Sequence, residues 1–109
     1  MIQKAEKFSL YWLCDKTGHK LPAGVAFFNE PAGDYRLKID ALPDDKMIYL
    51  KFSSSSDGVF YYRVETVVRK NGHPTHRAQI GNGHSKAETG LPVFMEIGPY
   101  SKILMMEQE

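Results

Sequence analysis

Apolar and polar side chains alternate along much of this chain, with a period of two residues rather than the 3.6 of a helix. In the segment 35–41 every second residue is apolar, and the residues between are Arg, Lys and Asp. The segments 48–52 and 60–68 repeat the alternation over most of their length. This pattern is typical of a β-strand that packs one face on a core and turns the other to water. These three segments are therefore predicted strands.

Three further segments extend the predicted sheet. Residues 8–14 and 91–97 are apolar enough for strands that are buried more fully, and residues 24–28 predict a weaker strand. The stretches between strands are rich in Gly, Pro, Asn, Asp and Ser, which favour turns. At the termini, residues 1–7 are compatible with a short helix, and residues 101–109 with either a last strand or a helix.

The spacing of these segments predicts the fold class. About seven short strands joined by turns indicate an all-β fold, a small single-domain antiparallel barrel or sandwich that takes up residues 1–109. A chain of 109 residues, of which 42% are hydrophobic, suits one compact domain with a core. Self-association would add to the moderate stability of so small a domain. The serine-rich segment 53–58 is a predicted hairpin loop.

Residues 69–84 contain three histidines and two Asn-Gly pairs. Directly opposed residues of an antiparallel pair share a face, which allows a register to be predicted. A two-residue turn at Asn71-Gly72 would place apolar Ala78 and Ile80 on the polar face, so we predict a three-residue loop, 70–72, with Gly72 in the left-handed region. This register opposes Val64 to Ala78, Tyr62 to Ile80, Glu65 to Arg77, and Arg69 to His73.

The hairpin interpretation argues against a metal site in the same segment. His73 and His76 are three residues apart on an extended strand, so their side chains point to opposite faces. His84 lies beyond the next predicted turn, and a catalytic zinc needs about three converging protein ligands. We therefore predict turn histidines and no metal.

Composition and charge limit the classes of protein to which this chain can belong. The formal net charge is +1, which gives no overall attraction to nucleic acid or to anionic lipid. The one cysteine, Cys14, excludes an internal disulfide. We see no signal-peptide pattern in the first sixteen residues and no apolar stretch of membrane-spanning length. The expectation is a soluble, cytoplasmic protein that does not associate with membranes.

No pattern of residues indicates catalysis. Cys14 alternates in phase with Phe8, Leu10 and Trp12, which predicts a buried, unreactive thiol. The neighbouring acids Asp44 and Asp45 fall in a predicted turn rather than in a pocket. The segment 81–90 contains glycines but lacks the spacing of a phosphate-binding loop. We predict a protein that is not an enzyme, with no catalytic residue and no cofactor.

The charge distribution provides the strongest functional signal. Four predicted strands are considered: the three alternating segments, with Arg69 after the third, and the strand that follows the 70–72 loop. Their outward positions contain six basic and two acidic residues, a net +4 that leaves −3 for the rest of the chain. Basic side chains neutralise phosphates, and tyrosine rings offer platforms on which bases stack. We define the basic face as the predicted binding residues Arg36, Lys38, Tyr49, Lys51, Tyr61, Arg63, Arg69 and Arg77.

The sequence thus predicts a β-barrel binding module for single-stranded nucleic acid, which would bind on the basic face. An alternative is a non-catalytic protein–protein interaction module, which would bind a partner at an unpaired strand edge or self-associate through residues 91–106. The methionines of that region, Met95, Met105 and Met106, are better explained as core residues. A cavity lined by Trp12, Phe27, Phe60 and Tyr62 would suit a small molecule, but small barrels are usually filled by their own side chains.

Overall fold

In a computed structural model, the residues whose placement is described are 7–13, 18–29, 33–40, 47–98 and 102–108, except for the side chains at 69, 70, 74 and 75. They form eight strands: β1 (Lys7–Leu13), β2 (Lys20–Asn29), β3 (Asp34–Ile39), β4 (Ile48–Ser56), β5 (Val59–Lys70), β6 (His73–Lys86), β7 (Val93–Ile97) and β8 (Leu104–Gln108).

Each strand pairs with the next one in the chain, and β8 pairs with β1, so the sheet closes into a barrel. Every pair is antiparallel, and the predicted fold class is confirmed. The described residues form eight strands rather than about seven, because the C-terminal segment forms β8 and closes the barrel against β1. In the part of the chain that is described, no helix is long and apolar enough to cross a membrane.

The barrel interior is filled by the apolar residues of the alternating segments. Leu50, Val64, Leu104 and Met106 are completely buried, and Leu10 is 1% exposed. They belong to one cluster of buried residues from every strand except β6, and the half-buried side chains that pack against it include Trp12, Phe28, Tyr35, Phe60 and, from β6, Ile80. Burial of this apolar surface is the main stabilising contribution to the fold.

Of the predicted core methionines, Met95 and Met106 lie in that cluster, and Met105 is also buried. Of the four aromatic residues considered for a cavity and preferred as core, Phe27 does not lie in the interior. Phe27 alternates with the core residues Ala26 and Phe28, so it lies on the outer surface of β2 and is 37% exposed.

Two strands are longer than the positions of the turn-favouring residues predict. The glycines and the asparagine of the segment 81–90 predict a turn, but the first half of this segment lies within β6, which continues to Lys86. Gly81 is needed there for close packing rather than for a turn, because a Cβ at this position would collide with the carbonyl oxygen of Glu96 on β7. Likewise β4 continues to Ser56, and the turn is only Asp57-Gly58, both with positive φ.

The predicted register of the β5–β6 hairpin is wrong. Its turn is the two-residue Asn71-Gly72, with φ of 54° and 80°, and Lys70 opposes His73. Bulges then shift the pairing twice, so Glu65 opposes Gln79 rather than Arg77. A two-residue turn was rejected because, without bulges, it places Ala78 and Ile80 on the polar face. Each bulge inserts an extra residue into β6 and shifts the pairing, which removes this conflict.

The same shift changes the other predicted pairs. Val64 opposes Gly81 rather than Ala78, and Tyr62 opposes Gly83 rather than Ile80. Arg69 pairs with Pro74 rather than with His73. Several predictions fall outside the described residues: the N-terminal helix over residues 1–6, the environment of Cys14, and the turn acids Asp44 and Asp45. Lys7, the last residue of that N-terminal segment, begins β1.

Candidate functional site

The four strands that carry the basic face, β3 to β6, are consecutive neighbours in the barrel. Arg36, Lys38, Lys51, Tyr61 and Arg63 are exposed at positions that alternate with core residues, so these side chains lie on one outer surface. The backbone of Arg69 lies in the β5–β6 hairpin, but its side chain is outside the described part of the structure.

Tyr49 does not fit the prediction of an outward stacking platform. It lies on the outer surface of β4, but its side chain is only 8% exposed. The guanidinium of Arg77 lies 3.9 Å from the centroid of the Tyr49 ring, in cation–π geometry. Tyr49 is therefore a support for Arg77, and the accessible tyrosine of the basic face is Tyr61, at 43% exposure.

Arg77 is itself held in an ionic cluster. Its Nη1 donates a hydrogen bond of 2.6 Å to Oδ2 of Asp34, and it lies 3.7 Å from Oε1 of Glu65. Both carboxylates are buried, Asp34 at 2% and Glu65 at 4% exposure. The hydrogen bond to Asp34 raises the pKa of Arg77 above its ordinary value, against the opposing effect of desolvation. Arg63 completes the cluster through a 3.0 Å contact between its Nη2 and Glu65 Oε2.

This cluster reduces the charge that the basic face can offer a ligand. Asp34 was not among the outward positions used for the charge balance, and including it changes six basic and two acidic residues into six and three, a net +3. Arg63 and Arg77 are engaged by buried carboxylates, whereas Arg36, Lys38 and Lys51 form no ion pair with another described residue. These three side chains are the ones best able to contact an anion.

Next to these cations, three rings lie in a row across neighbouring strands. In the pairing of the sheet, Tyr61 of β5 opposes His84 of β6, and His84 opposes Phe94 of β7. The centroids of the His84 and Phe94 rings are 5.7 Å apart, with planes inclined by 33°. Directly opposed side chains of a sheet share a face, so all three rings lie on the outer surface.

The rings border a groove of about 230 Å³. We define the aromatic groove by its lining residues: Tyr61, Asn82, Gly83, His84, Phe94, Met95, Glu96 and Ile103. Its lining is mainly apolar, with polar groups from Asn82, His84 and Glu96. A concave, largely apolar site with a few convergent polar groups is the usual form of a ligand-binding site.

The aromatic groove adjoins the basic face without a break. Arg63 follows Tyr61 by two residues on the same side of β5 and opposes Asn82 of the groove. Lys51 opposes Arg63 on the other side, and Asp34 opposes Lys51. An extended polyanion could therefore contact the cations of β3 and β4 while its end or one of its groups enters the aromatic groove.

Sequence reasoning missed most of this groove. His84 falls just past a predicted turn, and Phe94 falls in a strand that is predicted to be buried more fully, so neither was considered as an outward side chain. A signal was present: Asn82, His84 and Lys86 alternate with small residues, which is a strand pattern despite the glycines. The two glycines of this segment favoured a predicted turn over a predicted strand.

The histidines themselves are spread over the length of β6. His73 follows the turn, whereas His84 lies eleven residues later between β5 and β7. Within the ranges that the structure describes, no group of three or more His, Cys, Asp or Glu side chains is placed to hold a metal ion. Of the three histidines at 73, 76 and 84, only His84 lines the aromatic groove.

Comparisons of the chain with protein-family models, with curated proteins and with solved structures find no match.

Proposed function

We propose that this barrel binds single-stranded nucleic acid across the basic face and the aromatic groove, without catalysis. The observation that supports this most directly is the continuity between three exposed cations on β3 and β4 and a row of three rings on β5 to β7. Single-strand binding proteins combine the same two elements, a positive track for the backbone and aromatic platforms for the bases.

In this proposal the residues have separate roles. Arg36, Lys38 and Lys51 contact phosphates, because no described carboxylate neutralises them. Tyr61, at 43% exposure, stacks on a base at the entrance of the aromatic groove. Arg77 orders the surface rather than contacting the ligand, since Asp34 and Tyr49 hold its guanidinium.

The test is fluorescence anisotropy with a labelled single strand of about 12 nucleotides, a length within the usual range of site sizes for small barrels. We expect micromolar binding at low salt that weakens as salt increases. Lys51→Gln should weaken binding. Its control is Lys20→Gln, because Lys20 lies away from the basic face and its Nζ is 3.1 Å from Glu107 Oε2. Absence of binding at low salt would refute the proposal.

A second candidate function is protein binding by strand addition, and one feature of β4 favours it. The β3–β4 pairing ends at Lys51, while β4 continues to Ser56 in pairing with β5. No described strand therefore pairs with the other edge of β4 over residues 52–56, and Phe52 at its start is 48% exposed. A partner strand or a second copy could pair there. A salt-independent complex or a stable dimer would favour this function over the first.

A further inference from the structure

One acidic side chain lies in a site that we propose for a polyanion. Glu96 lines the aromatic groove, opposes Asn82 in the β6–β7 pairing, and is exposed. It forms no ion pair with any other residue that is described. A carboxylate near phosphates is repulsive, so its presence in the groove indicates a ligand group that donates hydrogen bonds.

The donors of a nucleic acid strand are mainly on its bases, and one base presents two of them side by side. The Watson–Crick edge of guanine carries N1–H and the N2 amino group next to each other, and a carboxylate can accept both in a bidentate pair. Building on the proposed function, we propose that the aromatic groove binds one guanine base, with Glu96 accepting hydrogen bonds from N1 and N2.

The other bases match the carboxylate less well. Adenine and cytosine each present one amino group beside a ring nitrogen that is an acceptor, and that acceptor would face the second carboxylate oxygen. Thymine and uracil present one ring N–H between two carbonyl oxygens. Only guanine therefore offers two donors to the two oxygens of Glu96. Guanine is selected because every other base would place an unpaired acceptor against a carboxylate oxygen.

Asn82 complements the same edge. Its Oδ1 accepts a 2.7 Å hydrogen bond from Nε2 of Gln79, which also donates to the Gly81 carbonyl. This contact fixes the orientation of the Asn82 amide and leaves its NH₂ group as a donor. Guanine O6, next to N1–H on the same edge, is the acceptor that this amide would bind.

The size of the groove favours a single base. Pockets for drug-sized ligands are roughly 300–1,000 Å³, and the aromatic groove is smaller, at about 230 Å³. Its rings Tyr61, His84 and Phe94 supply flat apolar surface for a purine, while Glu96 and Asn82 supply the polar contacts at the edge. The rest of the strand would remain on the basic face.

The test compares oligothymidylates of one length that carry a single central guanine, hypoxanthine, adenine or cytosine. The guanine strand should bind most tightly, about 5- to 150-fold above the adenine strand, as expected for one bidentate base contact. Hypoxanthine lacks the N2 amino group and should fall between the two. Glu96→Gln should remove the preference while the plain oligothymidylate still binds. Glu88→Gln, a change of another exposed glutamate outside the groove, should keep it.

The outcomes separate the two proposals. Equal affinity for all four strands in the wild-type protein would overturn the guanine assignment and leave single-strand binding intact. A uniform gain in affinity in Glu96→Gln, with the order of bases unchanged, would show that Glu96 only repels phosphates, and would also overturn the assignment. Failure of every strand to bind at low salt would refute the proposed function, and the guanine assignment with it.

Discussion

Arg77 on β6 donates a 2.6 Å hydrogen bond to Asp34 at the start of β3, across 43 residues of sequence. Between them, the guanidinium covers the ring of Tyr49 and approaches Glu65, so one side chain connects four consecutive strands on the outer surface. Asp34 is 2% exposed, and its Oδ1 has no hydrogen-bond partner among the described residues. The carboxylate therefore depends on Arg77 for compensation of its charge.

Replacing Arg77 by Met should destabilise the barrel strongly. The change leaves Asp34 buried without its cation, and removal of one partner from a buried ion pair costs about 3–5 kcal/mol. Because Arg77 is 33% exposed, we expect a value near the lower end, about 3 kcal/mol. Urea unfolding monitored by circular dichroism measures the change in free energy of unfolding.

The matched control is Arg36→Met on the outer surface of β3. Arg36 is exposed and forms no ion pair with a described residue, so the expected change is within about 0.5 kcal/mol. The double variant Asp34→Asn with Arg77→Met should be more stable than Arg77→Met alone, because it also removes the uncompensated buried charge of Asp34. Equal destabilisation by the two single variants would contradict a specific role for Arg77.

Tyr61 should contribute to binding through its ring rather than through its hydroxyl group. Tyr61→Leu removes the stacking surface and should weaken binding of a single strand by about 1–3 kcal/mol, whereas Tyr61→Phe should bind nearly as the wild type does. Anisotropy titrations of the three proteins at one salt concentration make the comparison. A loss of affinity in Tyr61→Phe equal to that in Tyr61→Leu would indicate a hydrogen bond in place of stacking.

The three exposed cations should account for part of the salt dependence of binding. For single strands, the logarithm of the binding constant falls with the logarithm of salt concentration by about 0.7 per phosphate contact. The triple variant Arg36→Gln, Lys38→Gln and Lys51→Gln should therefore lower this slope by about 2. Lys20→Gln should leave the slope unchanged, since Lys20 contacts Glu107 and the ring of Tyr11. An unchanged slope in the triple variant would place the phosphate contacts elsewhere.

Gly81 should be sensitive to the smallest possible substitution. In Gly81→Ala the new methyl group collides with the Glu96 carbonyl oxygen, and overpacking of this kind costs about 1–3 kcal/mol. Gly98→Ala is the control, because the nearest atom to its Cβ would be the Ile80 carbonyl oxygen at 3.8 Å. Thermal unfolding of the two variants distinguishes them, and equal melting temperatures would contradict the close approach of β6 and β7.

The fold class could be predicted from the sequence because the alternation of apolar and polar residues indicates directly which side chains face the interior of a barrel. Leu37, Ile39, Ile48 and Leu50 were identified as inward residues by period alone, and all are buried. The register of the β5–β6 hairpin could not be predicted in this way. Two bulges shift the pairing, and a bulge leaves a weak mark on the pattern of apolar residues.

The sequence predicts the cations of the basic face and one of their ion pairs, but not the other partners of these cations. The association of Glu65 with Arg77 was predicted, and the two side chains are 3.7 Å apart, although they are not directly opposed. The burial of Tyr49 and the role of Asp34 depend on a side chain that reaches across several strands, which strand-by-strand alternation does not describe. The aromatic groove depends on the β6–β7 pairing, and the glycines of β6 concealed the part of the strand, residues 81–84, that makes this pairing.

The most direct test of the account is a two-dimensional ¹H–¹⁵N NMR titration of the labelled protein with an unlabelled single strand. We predict progressive shifts of backbone amides on one surface, and unchanged amide signals at Lys20 and Leu21 of β2. The affected residues should be those at 36–38, 49–51, 61–63, 82–84 and 94–96. Shifts confined to other strands, or none at low salt, would contradict binding on the basic face and in the aromatic groove.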